Sequence, residues 1–211
     1  MATYDLEEQE QIDALKTWWK QNGTMVILAA TVFFATVVGV QGWRYYQNTQ
    51  SAKASLSYGI LQSVARGGDI KRVRDAAGQV MEQYPSTAYA TRAALIVAGV
   101  NYDSGDVQSA KAQLQWAIDH TKESEVRDIA RLRLAGVLLD EKKYPEAQKL
   151  MDEQSGPSFT GLFADLKGDI LAAQGKATEA RAAYQTAFDK SGEKSQYRQI
   201  IQMKLDSLGG K

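Results

Sequence analysis

The chain has no cysteine and only one histidine among its 211 residues. Without thiols there are no disulfide staples, thiolate zinc sites, iron–sulfur clusters or thiol nucleophiles. A single imidazole excludes a His-rich metal site, and a nucleophile–His–carboxylate triad would have to be built on His120 alone. Net charge is missing as well. The 25 Lys and Arg side chains balance 25 Asp and Glu, so the basic footprint of a nucleic-acid-binding protein is absent. The lack of cysteine leaves the redox compartment open, since Cys-free proteins occur in both kinds. Apolar residues at 44% and charged residues at 24% exclude a disordered chain. The length leaves room for one soluble domain plus something short.

Charge is also distributed unevenly. Between Lys20 and Arg44 lie 23 residues without a formal charge, centred on MVILAATVFFATVVGV. A spanning helix needs about 20 mostly apolar residues, which Thr24 to Trp43 supplies. Trp18 and Trp19 precede the run, and Trp43, Tyr45 and Tyr46 close it. Such rings favour the headgroup level, so these five are the expected membrane-interface anchors. A buried core helix would rarely be this long and uncharged. A cleaved signal peptide would carry a basic leader and a shorter apolar core. The first 20 residues instead hold five acidic and two basic side chains. An uncleaved single span is the expectation. The positive-inside count is nearly tied, with Lys16 and Lys20 against Arg44 and Lys53. Residues 5–21 read as a short amphipathic helix, with capping-box spacing at Asp5 and Glu8 and a stop at Asn22-Gly23. It is either a partner-docking tail or a solvated leader.

The expected layout is a leader over 1–23, an anchor over 24–43, a helical stalk over 44–68 and a helical domain over 69–211. That domain shows no alternating strand runs, and Ala and Leu recur at three- and four-residue spacing. Candidate helices cover 69–84, 86–102, 106–119, 124–141, 145–153, 158–174, 177–190 and 194–207. All three prolines fall at or beside the breaks between them. The small residues Ala110, Ala147 and Ala180 recur at spacings of 37 and 33, near the period of the tetratricopeptide repeat. Gly168, Ala180, Tyr184 and Ala187 fit that repeat best, 53–84 reads as a degenerate pair, and 194–207 reads as a capping helix. The fold class is therefore all-α, a single N-terminal transmembrane helix followed by a tetratricopeptide-like solenoid. An irregular helical bundle is the rival.

No phosphate-binding glycine loop, zinc-protease motif or nucleophile elbow is present. His120 reads as a helix-end residue facing the negative end of the helix dipole. No enzyme activity, metal or cofactor is expected. Solenoid surfaces usually bind protein or peptide. In repeats of this kind the first helix of each pair lines the groove, which makes Arg92, Tyr102, Arg133 and Asp165 the candidate protein-binding residues. Each has a plainer reading as a solvated or packing residue.

The run Leu15-Lys16-Thr17-Trp18-Trp19-Lys20-Gln21-Asn22-Gly23, the closing Gly42-Trp43-Arg44-Tyr45-Tyr46, Leu132-Arg133-Leu134-Ala135, Ala164-Asp165-Leu166-Lys167-Gly168-Asp169 and Gly175 to Ala187 together carry a resemblance. Over nearly its full length the chain closely resembles the YfgM-type family of Gram-negative bacteria, the ancillary subunit of the SecYEG translocon. The resemblance implies a type II inner-membrane protein with a cytoplasmic N-terminus and a periplasmic tetratricopeptide-like domain. It implies association with SecYEG and with PpiD, a membrane-anchored periplasmic chaperone, and help in passing newly translocated client proteins to periplasmic chaperones. It links the leader to the stress-response regulator RcsB. It brings no catalytic residues and no binding-site list. The expected partners are thus SecYEG, PpiD, secretory clients, RcsB and the lipid bilayer, without nucleic acid. An anchored scaffold for another cell-envelope assembly machine is the alternative.

Overall fold

A computed structural model describes residues 3–192 and 195–209, with side chains from Glu8 onward. The described residues form nine helices and no strand. They are α1 (Thr3–Arg66), α2 (Ile70–Gln83), α3 (Ala88–Asp103), α4 (Val107–His120), α5 (Ser124–Asp140), α6 (Tyr144–Asp152), α7 (Thr160–Ala173), α8 (Ala177–Lys190) and α9 (Gln196–Ser207). The chain divides into two compact units, Met1–Thr49 and Gln50–Lys211.

The first unit is the N-terminal part of α1, a helix long and apolar enough to cross a membrane. Met25, Ile27, Leu28, Val32, Phe33, Phe34 and Val38 are all exposed on it. Two of its hydroxyls are satisfied internally, as hydrocarbon demands. The Thr31 hydroxyl donates to the Ile27 carbonyl and the Thr36 hydroxyl to the Val32 carbonyl, each at 2.8 Å. Thr24 to Trp43 spans ~30 Å at the helical rise, the thickness of a bilayer core.

Two expectations for the leader are corrected here. The backbone is already helical at Asp5, so the cap expected there lies inside the helix. The stop expected at Asn22-Gly23 is absent, because α1 runs through it without a break. Asn22 Nδ2 donates to the Trp18 carbonyl at 3.1 Å instead of ending the helix. Gly23 is buried beneath the Trp19 indole, where an added Cβ would come within 3.2 Å of the ring. A mid-helix glycine costs only ~1 kcal/mol, and a long helix absorbs that.

The second unit is a stack of helix pairs. Ala54 and Leu61 of α1 are fully buried, and Leu61 shares a core cluster with Val73, Ala77 and Val80 of α2 and Ala93 and Val97 of α3. Residues 50–66 are therefore the first helix of a pair completed by α2. The later pairs are α3–α4, α5–α6 and α7–α8, and α9 packs on the last of them. Every first helix is followed by a residue in the left-handed region. These are Gly68, Gly105, Lys142, Gly175 and Gly209, at intervals of 37, 37, 33 and 34. A non-glycine residue there is strained, so Lys142 at φ 59° is the exception in the series.

Side-chain volume is matched within each pair. At equivalent positions the first and second helices carry Leu61 with Ala77, Ala98 with Leu114, Ala135 with Met151 and Gly168 with Tyr184. All eight lie in the core, and each large residue faces a small one. The three alanines that suggested the repeat, Ala110, Ala147 and Ala180, are each fully buried. Tyr184 covers Gly168 and also shares a cluster with Ile201 and Leu205 of α9.

A lateral clip repeats at the same register. Arg74 of α2 donates to the Ser104 hydroxyl at 3.2 Å, and Lys111 of α4 to Glu141 at 2.6 Å. Gln174 donates to Gln148 of α6 at 3.3 Å, and Arg181 of α8 to the Leu208 carbonyl at 2.8 Å. Each second helix thus holds the turn that ends the next first helix. These joints add little energy individually but fix the register of neighbouring pairs.

Candidate protein-binding surface

The four residues singled out from sequence lie on first helices, yet the structure does not gather them into one site. Arg92 of α3 grips Glu123, just ahead of α5, with two hydrogen bonds of 2.8 and 2.6 Å. Both partners are more than a third exposed, so solvent screening leaves this pair ~1 kcal/mol or less. Tyr102 of α3, 39% exposed, donates to Asp140 of α5. That bond to a carboxylate, more than burial, raises the phenol's pKa. Arg133 of α5 donates back to the Leu95 carbonyl of α3 at 3.1 Å. Asp165 of α7 is only 7% exposed and is spent on α9. All four are joints between one pair and the next, and Tyr102 and Arg133 remain exposed while serving as joints.

The joint at Asp165 belongs to a larger cluster that sequence reading missed. Lys204 of α9 reaches Asp165 at 2.9 Å and Asp169 at 2.8 Å. The Tyr197 hydroxyl donates to Asp165 at 2.8 Å and the Tyr184 hydroxyl to Asp169 at 2.7 Å. Burial, then the carboxylate bond, pushes both phenols above their ordinary range. Burial alone would lower the Lys204 pKa, but the two carboxylates outweigh it and the net direction is up. The cluster therefore sets one lysine between two carboxylates, with both phenols acting as donors. The spacing of Asp165 and Asp169, one helical turn apart, was the available signal. Their partners lie on other helices.

The second helices enclose a groove of 610 Å³ between α4 and α6, floored by Leu134 and Leu138 of α5 and rimmed by Lys111, Gln115 and Lys149. The equivalent space one pair earlier, over Val97 and Asn101, is smaller at 270 Å³. There the Arg74 guanidinium crosses it to reach Asn101 at 2.6 Å. An apolar floor with a mixed charged rim suits peptide or protein side chains. Among the described residues no three His, Asp or Glu are placed to hold a metal ion. His120 ends α4 with its ring stacked on Trp116 at 4.3 Å and Nδ1 2.9 Å from the Trp116 carbonyl. This is a helix-end contact with no nucleophile in it.

The proposed interface anchors lie at both ends of the apolar segment. Trp18 and Trp19 are half-exposed with ring centroids 6.5 Å apart, and Trp43 and Tyr46 lie 6.1 Å apart with Tyr45 exposed beside them.

Comparison with known proteins matches residues 16–210 to the family described as a tetratricopeptide repeat-like domain. The chain is 31% identical to a Neisseria gonorrhoeae protein named ancillary SecYEG translocon subunit, over 96% of this chain and 98% of that one. It is 32% identical to the Haemophilus influenzae protein of that name, over 97% and 99%. It is 26% identical to the Escherichia coli one, over 99% of each.

Proposed function

This chain belongs to the family of ancillary SecYEG translocon subunits, built on a tetratricopeptide repeat-like domain, and from that membership we propose that it is a membrane-anchored, protein-binding adaptor at the SecYEG channel. The observation that carries the reading is the extent of the likeness, which takes in the apolar part of α1 as well as the repeats. The reading takes residues 24–43 as the span, the leader over 1–23 as cytoplasmic and the repeat unit as periplasmic in the inner membrane. Its partners are the channel, the chaperone PpiD and emerging client chains, with RcsB meeting the leader. The work is tethering. A single span confines the repeat surfaces to the membrane plane, so each encounter with a channel-bound chain occurs at raised effective concentration. Tyr102 on the first helices and the groove beside Gln115 offer contact surfaces, while Arg92, Arg133 and Asp165 hold successive pairs in place.

The test is photo-crosslinking in intact cells with probes at Tyr46, Tyr102 and Gln115 of the full chain, followed by mass spectrometry. Adducts to channel subunits, a periplasmic chaperone or secretory chains are expected. Adducts confined to cytoplasmic proteins would overturn the orientation, and adducts to a different envelope complex would replace the adaptor with a scaffold.

A further inference from the structure

In the later pairs of the repeat unit, the first helix meets the preceding pair through two positions four residues apart. On α3 these are Ala93 and Val97, 0% and 4% exposed and packed with Leu61, Val73, Ala77 and Val80. On α5 they are Ala130 and Leu134, clustered with Ala98, Leu114 and Ala117. On α9 they are Tyr197 and Ile201, against Tyr184 and Ala187. On α7 the first is the buried Phe163 and the second is Lys167, which pairs with Asp152 of α6 at 2.6 Å.

The interval of 37 that separates Gly68 from Gly105 carries Ala93 and Val97 back to Leu56 and Ile60 on α1. Those two side chains are 75% and 62% exposed. The helix therefore presents the apolar positions of a packed first helix with nothing on them. Gly59 lies between them, and a Cβ there would meet nothing within 4 Å, so a second backbone can approach closely. The rim is cationic. Lys53 and Arg66 are the sole charges from Gln50 to Gly68, and no carboxylate occurs in that stretch.

We propose that Leu56 and Ile60, with Lys53 at the rim, form a docking face for an amphipathic helix of a different protein. That helix carries an apolar stripe at three- and four-residue spacing flanked by Asp or Glu. It runs antiparallel to α1 and takes the place that a preceding second helix takes on α3 and α5. Two features select this occupant. The repeat register demands a helix with an apolar stripe. The charge argues against the same face of a second copy, because pairing two such helices would leave Lys53 and Arg66 on both without a carboxylate to answer them. The inference rests on this face alone and is independent of the translocon reading.

The test uses the full-length chain in its own membrane, with a benzophenone amino acid at Leu56 or at Ile60. Both probes are expected to label one peptide of another protein, of helical apolar period with acidic flanks. Ile60→Asp or Lys53→Glu should lower the yield from the Leu56 probe by about tenfold. Both positions are exposed, so an unchanged thermal melt is expected to accompany the loss, and Lys53→Glu reports on the rim charge even if Ile60→Asp disturbs the helix. Labelling of a second copy, of phospholipid alone, of a peptide without that pattern, or of nothing would overturn the proposal. So would a yield that both substitutions leave unchanged.

Discussion

Substituting Gly168 by alanine tests whether the last pair is set by the contact between a missing side chain and an aromatic ring. A Cβ built on Gly168 falls well inside van der Waals contact with two carbons of the Tyr184 ring and 3.0 Å from Cγ. The ring cannot step aside easily. It is 4% exposed, its hydroxyl is held by Asp169 at 2.7 Å, and the Lys204 ammonium lies 5.4 Å from its centroid. Overpacking of this kind costs ~3 kcal/mol, against which alanine gains ~1 kcal/mol of helix propensity over glycine. The net loss is ~2 kcal/mol, or about 4–8 °C in Tm for a unit of this size. Gly136 of α5 is the control, because a Cβ there meets nothing within 4 Å. Gly136→Ala should raise Tm by about 1–4 °C through propensity alone. The double substitution Gly168→Ala with Tyr184→Leu recreates the Ala98–Leu114 arrangement and should be less destabilised than the sum of its parts by ~1–2 kcal/mol. The assay is circular dichroism of the full chain in lipid nanodiscs during heating. If Gly168→Ala and Gly136→Ala shift Tm in the same direction, or the double variant is additive, the volume-matching argument is wrong.

Three further outcomes follow from the same framework. Lys204→Met leaves the Asp165 and Asp169 carboxylates facing each other without their cation; given the part exposure of Lys204 and Asp169, the loss should be ~2–3 kcal/mol, read as faster hydrogen exchange confined to α9. In the intact cluster Lys204, Tyr184 and Tyr197 all have folded pKa values above their ordinary ones, so their contribution is fully present below about pH 10 and is lost as pH climbs further; alkaline melts should show α9 loosening first, whereas a stability that rises above that pH would contradict the assignment. Lys142→Gly removes the left-handed strain at the one turn that lacks glycine and should stabilise the unit by about 0.5–1 kcal/mol in a thermal melt.

Much of this architecture was legible because helix pairs leave a local signature. Ala110, Ala147 and Ala180 marked the second helices before any contact was known, and the helix boundaries fell within about two residues of expectation for most elements. The repeats read from sequence and the apolar span are both present. What failed was local punctuation inside a long helix. Asn22-Gly23 has the chemistry of a helix end, but that preference is worth ~1 kcal/mol, and the Asn22 amide bonds backward to Trp18. The surface was harder to read, because its polar partners lie far apart in sequence. Arg92 meets Glu123 and Asp165 meets Lys204, separations of 31 and 39 residues. No local pattern distinguishes a charged residue that faces solvent from one that closes a joint to the next pair.

The register that explains those joints also gives the repeat unit a polarity. The position that meets a second helix is Leu61, Ala98, Ala135 and Gly168 in the four complete pairs, small or fully buried in each. On α9 that position is Gln202, exposed and hydrogen-bonded along its own helix to Asp206 at 2.9 Å. Burying that amide under another helix would cost its water without returning a partner. The α9 position that a second helix would cover is thus built to stay wet, which is what a capping helix requires. The opposite face of the stack differs, since Leu56 and Ile60 of α1 keep the apolar character of a packed position while remaining exposed. Had both faces needed only solubility, the simple solution would have been a polar residue at each, as at Gln202. Ile200 and Met203 of α9 are exposed as well, but they flank a polar packing position, whereas on α1 the packing positions themselves are leucine and isoleucine, and that contrast is the reason to look for a partner at α1.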